Sequence, residues 1–228
     1  MMLGNQEKFM KFWNILIFTI GLSSYSKVLA DTAIDAANRY TVGLQLKETS
    51  YKATDEFKVE GQILEGGYKL GISPKLAIGG GVGLMFDGNI GGGIQAANGG
   101  GGFRIFSDAQ YEAHRFDRNK VLVTGAFAFD RFSFSEAGTD ADFTTTDVKV
   151  GGLILHYFQD FSVYGGLELF LFSSGQFNYG DATADSKRKT IFNLRTGGSY
   201  KLNKKLALRA DLLLVGEQTF FFACDFAL

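Results

Sequence analysis

Apolar and polar residues alternate with a period of two through most of this chain, from about Tyr40 to Leu228. The last stretch shows it most plainly. Leu206, Leu208, Ala210, Leu212 and Leu214 alternate with Ala207, Arg209, Asp211 and Leu213; after Gly216-Glu217-Gln218, Phe220, Phe222, Cys224, Phe226 and Leu228 alternate with Phe221, Ala223, Asp225 and Ala227. A period of two predicts strands with two distinct faces. Here one face is apolar to its end, while the other mixes charges with small residues. That is the pattern of a strand with lipid on one side and the interior of a closed barrel on the other.

The same alternation predicts an all-β, up-and-down antiparallel transmembrane β-barrel of about ten strands. Tyr40, Val42, Leu44 and Leu46 face out on the first, and Leu64, Tyr68, Leu70 and Ile72 on the second. Leu76, Ile78, Val82, Leu84 and Phe86 follow, then Phe103, Ile105 and Tyr111, then Val121, Val123, Phe127 and Phe129. Val148, Val150 and Ile154 mark the sixth strand, whose lower half, Leu153 to Phe158, is apolar on both faces. Phe161, Val163, Leu167, Leu169 and Leu171 mark the seventh, and Phe192, Leu194 and Tyr200 the eighth, before the terminal pair. Ser73-Pro74-Lys75, Asp117-Arg118-Asn119, Gln159-Asp160 and Asn203-Lys204-Lys205 read as short turns. Asp87 to Gly102, Glu136 to Thr146 and Gln176 to Lys189 read as long polar loops. Short turns at one end and long loops at the other are the outer-membrane arrangement, with the long loops outside the cell. If Gly216-Glu217-Gln218 is not a turn, eight strands is the alternative.

Composition agrees with many strands: 30 Gly and 23 Phe accompany a single Pro, and Pro would interrupt a ladder. A net charge of -1 gives no basic field to recruit nucleic acid. One cysteine, Cys224, excludes an internal disulfide framework. Residues 1–30 read as a secretory signal peptide, with Lys8 and Lys11, an apolar run from Phe12 to Leu22, and Val28-Leu29-Ala30 before a cleavage near Ala30. The run is shorter than the roughly 20 residues of a spanning helix. Residues 31–228 are then the barrel, and Met10 is a second candidate start.

The cleavable signal, the alternating strands and the terminal Phe220, Phe222, Phe226 and Leu228 resemble small bacterial outer-membrane barrels of the OmpA/OmpX-like type. The resemblance is architectural and spans the mature chain. It implies outer-membrane lipid as the surroundings, and periplasmic chaperones and the barrel-assembly machinery as partners in biogenesis. The last residue in that family is commonly an aromatic; here it is Leu228.

By this register Lys47, Lys69, Arg104, Lys149, Arg195, Lys201 and Arg209 point inward, and so do Glu65, Asp108, Glu112, Asp130, Glu168, Asp211 and Asp225. The signs balance. A small barrel is just wide enough for side chains to fill, and buried charges must pair. A lumen closed by paired charges is therefore the expectation, with Arg104, Asp108 and Glu112 as its centre. A narrow charged pore for ions or small solutes is the alternative. His114 and His156 both lie near short turns, away from the outer rim where barrel enzymes act, so an enzyme is not expected. The run Gly99 to Gly102 lacks the Lys and helix of a phosphate loop, and Asp181 and Asp185 are isolated loop carboxylates. No cofactor or metal is expected, and the sequence names no external ligand. The expected role is structural, or surface interaction through the long loops.

Overall fold

The computed structural model describes residues 38–53, 56–92, 97–136, 139–179 and 182–228. The expected signal peptide and Asp181 lie outside them. Among the described residues eleven strands form one antiparallel sheet: β1 (Arg39–Lys52), β2 (Glu56–Ser73), β3 (Leu76–Gly92), β4 (Ala97–Phe116), β5 (Asn119–Glu136), β6 (Thr139–Tyr157), β7 (Phe161–Tyr179), β8 (Ala182–Arg188), β9 (Phe192–Lys201), β10 (Leu206–Val215) and β11 (Glu217–Ala227). β1 to β7 and β9 to β11 close into a ten-stranded barrel, since β11 pairs with β1 from Arg39↔Ala227 to Thr49↔Glu217. The expected fold class and strand count are thus what the structure has, with one strand more.

That extra strand is β8. It forms a hairpin with β7, from Gly175↔Ser186 to Tyr179↔Ala182, and touches β1 at Tyr51↔Arg188 and Lys52↔Lys187. β9, β10 and β11 are short and stop below it. β8 therefore takes their place in the wall, and the barrel narrows from ten strands to eight at the end away from the short turns.

The apolar face changes sides at this step. On β5, Val123 and Phe127 are exposed and point outward, while Asp130 is buried. Beyond it Phe132 and Phe134 are the buried residues, and Arg131, Ser133 and Ser135 are exposed. The same switch occurs on β2, where Leu64 and Leu70 face out but Phe57, Val59 and Ile63 face in, and on β6, where Ile154 faces out but Ala141 and Phe143 face in. Below the switch the outside is apolar and the inside charged; above it the outside is polar and the inside aromatic. On β2, β5 and β6 alternation is unbroken through both halves, so the surroundings must change from lipid to water at the switch. From Val121 to Phe129 is roughly 27 Å of strand, or about 21 Å along the axis at a tilt of about 40°, close to the height of a lipid-facing band.

The long polar loops expected from the sequence are thus corrected. Most of Asp87 to Gly102, Glu136 to Thr146 and Gln176 to Lys189 is strand, and its polar residues are the water-facing side of the outer storey. Above the step the interior is one aromatic cluster: Tyr51, Phe57, Val59, Ile63, Met85, Ile90, Phe132, Phe134, Ala141, Phe143 and Phe177. The doubly apolar stretch of β6 also resolves. Leu153 and Leu155 turn inward with Leu122 and Tyr164 as a second apolar cluster near the short turns. His114, which strict alternation from Arg104 and Glu112 would turn inward, is exposed, because a register shift between Glu112 and His114 turns the chain by one position.

Candidate functional site

The lumen below the step holds the charged residues. Lys47 of β1 reaches Asp130 of β5 at 2.8 Å. Arg104 of β4 lies 3.1 Å from Glu65 of β2 and 3.7 Å from Asp130, and donates to the Gln45 side-chain oxygen at 3.3 Å. Lys69 of β2 pairs with Asp108 of β4. On the other side a chain of ions runs from Lys149 and Glu168, 3.8 Å apart, to Arg195 at 3.0 Å from Glu168. It continues through Asp211, 2.9 Å from Arg195, and Arg209, 3.1 Å from Asp211, to Asp225 at 3.2 Å from Arg209. The Tyr164 hydroxyl donates to Asp211, and the Thr41 hydroxyl donates to Asp225 at 2.5 Å.

Two residues of the expected set lie toward the short turns. Glu112 sits near the short turns with Arg115 at 2.8 Å and Lys120 at 3.4 Å. Lys201 ends β9, its backbone N–H donating to the Asp160 carbonyl at 3.0 Å. Arg104, Asp108 and Glu112 do not form a centre together: Arg104 pairs with Glu65 and Asp130, Asp108 with Lys69, and Glu112 with Arg115 and Lys120. Adjacent inward positions on one strand are separated by two residues, so the nearer partners lie across the ladder.

Among the described residues, sequence reasoning missed five buried charges: Lys120 near the short turns, and Arg39, Asp147, Arg188 and Glu217. The last three form the layer at the step. Arg188 of β8 grips Asp147 of β6 through Nε at 3.0 Å and Nη2 at 2.5 Å, and its Nη2 lies 3.2 Å from Glu217 of β11. Its guanidinium lies 4.3 Å over the ring of Phe170 and 5.4 Å from that of Tyr51. Glu217 is not in the turn, which falls at Val215 (φ 89°) and Gly216; it begins β11 and points inward, accepting from the Thr219 hydroxyl at 2.8 Å.

Beneath this layer lies a polar chamber of about 180 Å³, lined among others by Arg39, Lys69, Asp108, Arg104, Lys149 and Glu217. It holds both signs of charge, so it offers no strong preference for an anion or a cation. Among the described residues no group of three His, Cys, Asp or Glu is placed to hold a metal. His156 accepts or donates a hydrogen bond with Asn119 at 2.8 Å near a short turn.

The fold is that of an outer-membrane β-barrel. The structure is similar to the outer membrane protease OmpT from Escherichia coli, with a TM-score of 0.56, 11% identity, and 88% of this chain and 99% of that one covered. At that identity the likeness speaks for the fold alone. Looser likenesses are to the translocator domain of autotransporter NalP from Neisseria meningitidis (TM-score 0.46, 11% identity, 97% of this chain and 96% of that one) and to Ail, the attachment invasion locus protein of Yersinia pestis (TM-score 0.37, 15% identity, 83% and 96%). No family model matches the sequence, and no curated protein matches it.

Proposed function

We propose that this chain is an integral outer-membrane barrel with a structural or surface-interaction role, its lumen shut at rest by paired charges within the membrane and by the aromatic core above. The observation that carries this is the double closure. The Arg188–Asp147–Glu217 layer crosses the lumen at the step, and fully buried Tyr51, Phe57, Phe132 and Phe143 fill the space over it. A pore would need water along its whole length, and an unpaired ion in so narrow a space is expensive.

On this reading residues 1–30 are removed on export and the mature chain, 31–228, sits in the outer membrane with the narrow storey outside the cell. Chaperones and the assembly machinery would handle it on the way. The barrel is not an enzyme: its two histidines lie near the short turns, away from the outer storey. The polar outer wall of β5 to β8 is the surface offered to external partners.

A small pore is the second reading, favoured by the chamber beneath the step. Purified protein in planar bilayers separates the two. The closed reading expects no steady current at neutral pH; a stable ohmic channel from the wild-type barrel would put the pore first.

A further inference from the structure

Above the step the wall is not continuous. β1 to β4 pair among themselves up to Lys52↔Glu56, Phe57↔Gly92 and Ile90↔Ala97. β5 to β8 pair among themselves up to Glu136↔Thr139, Ala141↔Tyr179 and Tyr179↔Ala182. Between the two groups the ladders stop. Among the described residues β4 and β5 make no pair above Gly101↔Ser133, and β8 meets β1 at two pairs. The shortest ladder of the lower barrel, β10 with β11, has eight. The outer storey is therefore two four-stranded shells, joined at one seam only as far as Gly101↔Ser133 and at the other by two pairs.

Side chains hold the shells together. Tyr51 and Phe57 of the first shell meet Phe143 of the second at 4.9 and 5.5 Å between ring centres, and Phe57 meets Phe177 at 6.2 Å. At the β8–β1 seam Lys189 bridges the shells: its backbone N–H donates to the Ser50 carbonyl at 3.3 Å, and its Nζ lies 2.9 Å from Glu56, both side chains in reach of solvent. Beside it Lys52 and Lys187 stand directly opposite each other, both exposed, and among the described residues neither has a carboxylate partner. Like charges across a ladder push it apart. In the first shell β3 bends through two register shifts between Met85 and Asn89, with Asp87 at φ 55°. The chamber lies directly below.

We propose that the outer storey is a gate. The two shells part along their seams and join the polar chamber to the outside, so that a barrel closed at rest passes ions and small hydrophilic solutes in brief openings. The lower barrel, with its long ladders, stays intact and acts as the hinge. Because the chamber carries both signs of charge, the open state discriminates little between cations and anions. The proposal rests on the closed resting state proposed above.

A reversible lock tests it. With Cys224→Ala removing the native thiol, Lys52→Cys and Lys187→Cys place two cysteines on ladder partners, whose Cα atoms are about 5.5 Å apart, within disulfide reach. Phe143→Ala in the same background loosens the aromatic contact between the shells. In planar bilayers the reduced double-cysteine protein should show rare, brief openings, and Phe143→Ala should raise the open fraction at least tenfold. Oxidation should silence both, and reductant should restore them. Gel mobility of the unheated protein shows that each variant is folded. A folded Phe143→Ala protein that is as silent as the parent, or openings that persist unchanged after oxidation, would overturn the gate while leaving the closed barrel standing. A steady wild-type current indifferent to the disulfide would overturn the closed resting state and the gate together.

Discussion

Arg188 sits where the two storeys meet, and its removal should be felt more than that of any surface cation. Its side chain is 2% exposed, as are those of Asp147 and Glu217. Arg188→Ala leaves two buried carboxylates facing the same void. Asp147 keeps the Ser173 hydroxyl at 2.7 Å and Glu217 keeps Thr219, but neither keeps a cation within this layer. Breaking a buried pair by removing one partner costs about 3–5 kcal/mol. The lost stacking on Phe170 and Tyr51 adds roughly 0.5–2 kcal/mol. Arg188→Ala should therefore destabilise the barrel by about 4–6 kcal/mol. Replacing all three together (Arg188→Met, Asp147→Leu, Glu217→Leu) should restore most of that, because a buried ion cluster exchanged for apolar packing is close to neutral. The assay is reversible urea unfolding in lipid vesicles. The only tryptophan, Trp13, lies in the segment expected to be removed, so unfolding is followed by far-ultraviolet circular dichroism and gel mobility. If Arg188→Ala lies within 1 kcal/mol of wild type (about a fivefold change in the folded-to-unfolded ratio), or the triple variant is no better than the single, the layer does not hold the step together.

Leu212 faces outward in the middle of β10, and Leu212→Arg should cost roughly 2–4 kcal/mol near the bilayer midplane, read as lost insertion into vesicles; unchanged insertion would mean that this face does not meet lipid. Gly166 faces inward, and an added Cβ would lie 1.9 Å from the Gly152 carbonyl oxygen, whereas at Gly66 it would meet nothing within 4 Å. Gly166→Ala should cost about 1–3 kcal/mol by overpacking, and Gly66→Ala should be neutral in the same urea assay; equal effects would contradict the ladder spacing. Lys47→Met leaves Asp130 with Arg104 at 3.7 Å as its nearest cation and should destabilise the barrel by about 3 kcal/mol, while Lys58→Met on the exposed wall should change it by less than about 1 kcal/mol.

Much of the fold could be read from the alternation alone. Wherever apolar neighbours fix the parity, as at Val121 and Val123 or Leu206 and Leu208, the strand and its lipid face follow. The outer storey was misread as loops because its outward residues, such as Asp142, Thr144 and Gln176, are polar like loop residues. The signal was present in the parity: Phe127 and Phe129 are odd, Phe132 and Phe134 are even, and a single strand running from lipid into water must swap faces in this way. Arg188 lies in a run, Lys187-Arg188-Lys189, that looks solvated in sequence. Its burial follows from the pairing of Ser186 with Gly175, a contact with the preceding strand that no local pattern records. Glu217 follows Gly216 and reads as turn, yet its pairing with Thr49 across the barrel closure points it inward. The faces of Arg104, Asp108 and Glu112 follow from Phe103, Ile105 and Tyr111, but their partners depend on the stagger of neighbouring strands, which the sequence of one strand does not contain.

The two-storey reading is tested most directly by scanning the outward positions of β5 with single spin labels in vesicles, after Cys224→Ala. Collision with dissolved oxygen marks lipid, and collision with a water-soluble nickel complex marks solvent. Labels at Val123, Phe127 and Phe129 should collide with oxygen, and labels at Ser133 and Ser135 with nickel, the change falling at Arg131. Nickel contact at Phe127, or oxygen contact continuing through Ser135, would place the membrane surface elsewhere and contradict the account.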